Sequence, residues 1–133
     1  MSLILSKFTP KNLDSYVLNK DLALKIKKYV KSGELLNTLI SGPEGCGKYT
    51  LAMNILNEYY GNSIYKKKTT FFKLKIGTNV KSLEIVYSNY HYEIFINQYL
   101  FNDKTTLLML IKNIMVKYRL KCLQNYLILR QFL

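Results

Sequence analysis

Two observations predict an α/β fold for this 133-residue chain, a parallel sheet with flanking helices. Short apolar runs alternate with stretches of helical period, and a glycine-rich passage joins one such run to a helix. A third observation modifies the plan. Residues 69 to 86 interleave β-branched and aromatic residues with lysines, the pattern of an inserted β-hairpin.

The glycine-rich passage is Leu39-Ile40-Ser41-Gly42-Pro43-Glu44-Gly45-Cys46-Gly47-Lys48-Tyr49-Thr50. A Gly, four free residues and Gly-Lys, set between an apolar run and a helical one, is the pattern of a phosphate-binding loop. Gly42, Gly45 and Gly47 can take backbone angles closed to other residues, so successive N–H groups turn inward as a cradle for phosphate oxygens. The helix that opens near Lys48 adds unpaired N–H groups and its positive dipole end, and the Lys48 ammonium can reach the terminal phosphates. A nucleoside triphosphate or diphosphate, ATP or ADP, is the implied ligand, held by Gly42, Pro43, Glu44, Gly45, Cys46, Gly47, Lys48, Tyr49 and Thr50. Position 49 departs from the pattern: a Ser or Thr there would ligate magnesium, and Tyr49 is too large to put its oxygen at that point. Thr50 comes one residue late, about 100° further round the helix. Phosphate binding is therefore better supported than phosphate chemistry, and magnesium lacks its usual ligand. The competing reading is a glycine-rich turn with no ligand.

At this length the chain is one domain at most, and its 49% hydrophobic content supplies a single core. The longest purely apolar run, Leu107 to Ile111, is too short to cross a bilayer. Leu3-Ile4-Leu5 is interrupted at once by Ser6 and Lys7, so no secretory signal is expected. Cys46 and Cys122 have no metal spacing and form no disulfide framework, which predicts a reducing, intracellular compartment. The net charge of +12 suggests a polyanion such as nucleic acid. Yet of the 20 basic residues only Arg119 and Arg130 are Arg, and geometrically exact phosphate recognition favours Arg. DNA contact and a solvated lysine coat both stay open.

Taken in order, residues 1 to 18 read as an irregular lead-in, with Pro10 stopping any helix and Thr9 held extended before it. Asn19 is the expected cap of a helix to about Ser32, with Leu22, Ile26, Tyr29 and Val30 as its apolar stripe, Gly33 as its stop, and Lys27, Lys28 and Lys31 complementing its dipole. Leu35 to Ile40 reads as a short buried strand feeding the loop. Leu51, Ala52, Ile55, Leu56 and Tyr59 mark the core face of the next helix, which Gly61 ends. A core of residues 19–61 thus surrounds the loop. A hairpin occupies 66–87, turning at Gly77 and Asn79 with one wet face, and Lys66-Lys67-Lys68 reads as a solvated loop before it. Ser88 to Ile96 suits a strand buried in a parallel sheet. His91, the only histidine, has no Cys, Asp or second His placed to share a metal and reads as a structural strand residue. Asp103 can cap a helix from Lys104 to about Arg119, with Leu107, Leu110, Ile111, Ile114 and Tyr118 facing inward. The strand and helix fill 88–120, and the tail 121–133 carries one more strand at 125–131.

These residues resemble the front of an AAA+ clamp-loader subunit, the small subunits of replication factor C. Lys7-Phe8-Thr9-Pro10-Lys11-Asn12-Leu13-Asp14 is similar to the family's opening Lys-Tyr-Arg-Pro-x-x-Leu-Asp, which packs beside the nucleotide base, so Phe8 and Pro10 join the implied site. Thr9 stands where the family has Arg. Lys48-Tyr49-Thr50 is similar to the Gly-Lys-Lys-Thr branch, and Ser88-Asn89-Tyr90-His91-Tyr92-Glu93-Ile94 resembles that branch's Ser-Asn-Tyr-His-Leu-Glu-Val. The resemblance covers about residues 7 to 118 and departs at Phe95 to Gln98, where the family has Asn-Pro-Ser-Asp.

The resemblance implies an AAA+-like P-loop fold and a subunit of a hetero-pentamer that places a sliding clamp on primer-template DNA. It also implies nucleotide held mainly as a structural element while neighbouring subunits hydrolyse, in the nucleus or, for a viral protein, the cytoplasm. Hydrolysis needs acidic residues at a strand end, and the candidate strand, Tyr126 to Leu129, is followed by Arg130 and Gln131. No catalytic residue is expected. The chain reads as truncated and, with no neighbours for the Leu35 to Ile40 strand, as marginally stable or sticky. Two alternatives are a small P-loop kinase or ATPase and a non-functional fragment. The kinase would need the hydroxyl at position 49 and several arginines.

Overall fold

In a computed structural model, which describes residues 4–33, 38–95, 104–117 and 126–130, mixed α and β elements fall into two units, Met1–Ile64 and Tyr65–Leu133.

In the first unit the proline sets the boundary. Pro10 has no N–H to give a helix and restricts the residue before it, and α1 (Ile4–Phe8) ends two residues ahead. The lead-in expected to be irregular thus holds one short helix and one 3₁₀ turn, Leu13–Ser15. Asn12 and Ser15 close that turn reciprocally: Asn12 Oδ1 accepts the Ser15 N–H at 2.9 Å, and Ser15 Oγ accepts the Asn12 N–H at 3.3 Å. Leu13 is thereby carried into the core with Ala23, Val30 and Ile55, beside half-buried Tyr16, Ile26, Ile40 and Leu51.

Helix α2 spans Lys20–Lys31 and α3 spans Lys48–Tyr60. Asn19 precedes α2 with φ 57 and makes no side-chain capping bond, so the expected cap does not form. The apolar stripe of α2 is also turned from the expected one. Leu22 and Tyr29 are exposed, and Ala23, Ile26 and Val30 face inward, because small Ala23 lets the packed helix α3 approach closely. On α3 the buried residues are Met53, Asn54, Ile55 and Leu56. The expected Leu51 and Ala52 are half-buried, and Tyr59 is 39% exposed. Part of the expected strand Leu35 to Ile40 lies outside the described residues. Thr38, Leu39 and Ile40 form no strand, and Leu39 is 92% exposed.

The second unit follows the two-residue period of a pleated sheet. Strands β1 (Lys68–Ile76) and β2 (Asn79–Tyr87) pair antiparallel from Lys68 opposite Tyr87 to Ile76 opposite Asn79, leaving Gly77 and Thr78 as the turn. Gly77 takes φ 59, the left-handed angle a two-residue hairpin turn asks for. Phe72 and Leu74 on one strand and Leu83 and Ile85 on the other are buried, with exposed residues between them. Strand β3 (His91–Phe95) pairs antiparallel with β2 and parallel with β4 (Tyr126–Arg130), giving the order β1-β2-β3-β4.

The sheet is therefore mixed and mostly antiparallel, where a parallel one was expected. The three residues Ser88–Tyr90 between β2 and β3 allow only an antiparallel return, since a parallel crossover needs a dozen or more. Helix α4 (Lys104–Lys117) sends Leu110 and Ile114, one turn apart, into the core with the sheet residues, and Ile111 is half-buried. Asp103, Tyr118, Arg119 and the side chain of Leu107 lie outside the described residues. No described helix is long and apolar enough to cross a membrane.

Candidate phosphate-binding site

The loop Ser41 to Gly47 is exposed throughout and feeds directly into α3, with Gly47 at the cap position in the left-handed region, φ 86. Pro43 accepts the Cys46 N–H at 3.4 Å, closing a tight turn within the loop. That turn brings the exposed Cys46 thiol against Gly42: a Cβ at Gly42 would stand 2.9 Å from Cys46 Sγ. A side chain at Gly42 would thus have to displace the Cys46 thiol. Glu44 and Gly45 lie on its solvent side, exposed.

Lys48 is the first residue of α3, and its ammonium donates to the carbonyls of Gly42 at 2.8 Å and Pro43 at 2.7 Å. Two neutral carbonyls hold the side chain over the loop but leave its charge in place. No acidic residue sits in the first turn of α3, where the N–H groups lack helical partners and the dipole is positive. A full positive charge and a partial one coincide, which is an unfavourable arrangement until an anion joins it. The donor set fits a phosphate group. It does not fit the usual magnesium arrangement, because Tyr49 occupies the second helical position and Thr50 the third, both half-buried.

Sequence reasoning missed how the lead-in is fastened to this helix. Asn54, buried in the second turn of α3, donates through Nδ2 to the Pro10 carbonyl at 3.0 Å and to the Tyr16 hydroxyl at 3.3 Å. Asn57, one turn on, reaches the Lys11 carbonyl at 3.5 Å. Pro10 is thereby brought to the phosphate-loop helix, whereas Phe8, at the end of α1, is 74% exposed. The signal was a pair of asparagines at i and i+3, the spacing that puts two amides on one helix face. Lys27 of α2 adds a further link, bonded to Asp14 of the 3₁₀ turn and 3.7 Å from Glu58 of α3.

A second polar cluster, in the sheet unit, resolves the role of His91. Ser88 Oγ accepts the N–H groups of Tyr90 at 3.2 Å and His91 at 3.3 Å, so its own proton is left for His91 Nδ1 at 2.7 Å. His91 Nε2 then faces Glu93 Oε1 at 3.0 Å, and Lys67 neutralises that carboxylate at 2.6 Å. Ser, His and Glu in a row resemble a nucleophile relay. However, Ser88, His91 and Glu93 are all buried and the hydroxyl is already bonded on both sides, so no substrate can reach it. His91 is structural, as its sequence context indicated, and Lys67 is more than the solvated loop lysine expected there.

No family model matches the chain. At 34% identity over 95 residues it is similar to the "Probable replication factor C subunit 3" of Dictyostelium discoideum, covering 71% of this chain and 27% of that protein. Replication factor C subunit 3 of Arabidopsis thaliana is 34% identical over 83 residues, 62% of this chain and 23% of that one. A replication factor C small subunit of Sulfolobus acidocaldarius is 39% identical over 57 residues, 43% and 18% respectively. The chain is a relative of the replication factor C small subunits. The resemblance to that family, expected from the sequence, is therefore shown. The chain spans about a quarter of the length of the replication factor C relatives named first.

Proposed function

We propose that this chain binds an adenine nucleotide at Gly42 to Thr50 and works as a nucleotide-binding small subunit of an AAA+ clamp loader. In this reading it takes part, with the other subunits of a hetero-pentamer, in placing a sliding clamp on primer-template DNA. The observation that carries the reading is the Lys48 ammonium held over an open glycine loop at the positive end of α3. The relatives' name supports the rest.

The bound nucleotide would be held by the amides of the loop and of the first turn of α3 and by Lys48, with Pro10 and Phe8 of the lead-in toward its base. It supplies a multiply charged anion that ties loop, helix and lead-in together. This chain's own residues point to binding without hydrolysis. Tyr49 removes the metal-ligating hydroxyl, and β4 ends on Arg130 rather than on a carboxylate.

Titration of a fluorescent ADP analogue into the full chain tests this. The wild type is expected to bind, and Lys48→Ala to weaken binding about ten-fold or more, since a hydrogen bond to a charged group contributes about 1.5–3 kcal/mol. Equal affinity for the two proteins would overturn the site. Phosphate release from ATP with magnesium is expected to stay at the buffer rate, and measured turnover would favour the P-loop enzyme instead.

A further inference from the structure

We propose that the outer edge of β1 takes up an extended acidic segment of a partner protein as one more strand of the sheet. The inference stands on the backbone and charge of that strand and does not depend on the nucleotide site. β1 is the terminal strand of the order β1-β2-β3-β4, and its nine residues run without a proline or a glycine. Among the described residues, no strand other than β2 pairs with it.

The turn determines which backbone groups face that edge. Across a two-residue hairpin turn the flanking residues, here Ile76 and Asn79, bond to each other, and bonded and non-bonded pairs alternate from there. The N–H and C=O groups of Ile76, Leu74, Phe72 and Thr70 therefore point at β2. Those of Lys75, Lys73, Phe71 and Thr69 point the other way, as the row of donors and acceptors to which an added strand bonds.

Side chains then specify the strand. Phe71, Lys73 and Lys75 lie on the exposed face, whereas Phe72 and Leu74 between them are buried in the sheet core. A strand laid along this edge puts the residues opposite Lys73 and Lys75 on the exposed face and those opposite Phe72 and Leu74 on the core face. Carboxylates suit the first set, and apolar side chains suit the second, where they extend the core by one strand. From Lys66 to Ser82 the sequence holds six lysines and no acidic residue, so the charge along the edge is uncompensated up to Glu84, which stands opposite Phe71 on β2. A second copy of this chain is the wrong occupant. Two β1 edges would set lysine against lysine, and like charges directly opposite each other destabilise a pair. Lysine on an edge keeps identical strands away, and the same charge selects an acidic one.

Titration of the full chain into a labelled nonapeptide of alternating valine and glutamate, followed by fluorescence anisotropy without nucleotide, tests the proposal. The wild type is expected to bind, and Lys73→Glu/Lys75→Glu to weaken binding at least about ten-fold. Both positions are exposed, so thermal unfolding of the variant should match the wild type. A peptide of alternating valine and lysine should show the opposite preference between the two proteins. Two N-methylated peptides separate strand addition from attraction of charge alone, one methylated on every glutamate nitrogen and the other on every valine nitrogen. Only one of these sets faces β1. One peptide should therefore bind about a hundred-fold more weakly, having lost several backbone hydrogen bonds, and the other should bind like the parent. Because no nucleotide is present, failure of the nucleotide site leaves this result untouched. The proposal is overturned if the wild type does not bind the parent peptide at low salt, if charge reversal leaves affinity unchanged, or if the two methylated peptides bind alike. An all-glutamate nonapeptide that binds as tightly as the parent overturns it equally, since charge alone would then suffice.

Discussion

Tyr49 decides what the loop can do with an anion once it has one. A hydroxyl directly after the lysine places an oxygen beside the phosphates, where a magnesium ion can share it, and a phenol carries its oxygen several bonds further away. The amide cradle and Lys48 are unaffected by that exchange, so binding and metal dependence separate at this one residue. Nucleotide affinity of the wild type is expected to differ by less than about two-fold between magnesium and chelator. Tyr49→Thr should gain several-fold from magnesium, the scale of one added charge-assisted contact. Calorimetric titration of ADP with and without the metal measures both. A wild type that depends strongly on magnesium would show that another group supplies the ligand.

At the scale of elements, the fold around the site is held by contacts that join segments far apart in sequence. Asn54 bonds Pro10 and Tyr16 across 44 and 38 positions, and removing its buried amide takes one donor away from each. Asn54→Ala is expected to lower unfolding stability by about 1–3 kcal/mol and to loosen the lead-in, read as faster proteolytic cutting ahead of Leu13. Lys27 supplies a pH-dependent link. Its hydrogen bond to Asp14 raises the ammonium above its ordinary value of 10.5, with burial opposing and the Glu58 charge adding to the rise. The folded chain holds that proton more tightly than the unfolded chain does. The contribution is therefore full below pH 10.5 and is lost as pH climbs through the higher folded value. Lys27→Met should melt below the wild type at neutral pH, with the gap closing at strongly alkaline pH. A gap that persists there would assign the loss to packing of the lysine stem.

These links also explain what could be read in advance. The loop was legible because its glycines and lysine, Gly42 to Lys48, act within seven residues, and the hairpin was legible because its period and turn are local. The direction of β3 was not. A buried run such as His91 to Ile94 reports cover on both faces and says nothing of which way its neighbours run. Likewise Asn54 and Glu93 look like ordinary polar residues until their partners, Pro10 and Lys67, arrive from elsewhere in the chain.

For the molecule as a whole, the consequence is an uneven distribution of stability. Among the described residues, the unit Met1–Ile64 that carries the loop buries seven apolar side chains, of which only Leu13, Ala23, Val30 and Ile55 join in one cluster, apart from Met53, Leu56 and Ile64. Among the described residues, the sheet unit joins eight buried apolar side chains, from Phe72 to Ile114, in one continuous cluster. Burial of apolar surface is the main favourable term in folding, so the loop's unit should open at the lower free-energy cost. Amide hydrogen exchange resolved by peptide is then expected to be faster over 48–60 than over 72–94. A ligand bound only to the folded loop adds about 2.7 kcal/mol at one hundred times its Kd, which corresponds to roughly a hundred-fold slower exchange. ADP at that concentration should slow exchange across 48–60 and in the lead-in that Asn54 and Asn57 fasten to α3, and should leave 72–94 unchanged. Uniform protection of both segments would mean that the two units open together, and the stability of the site would then be that of the sheet.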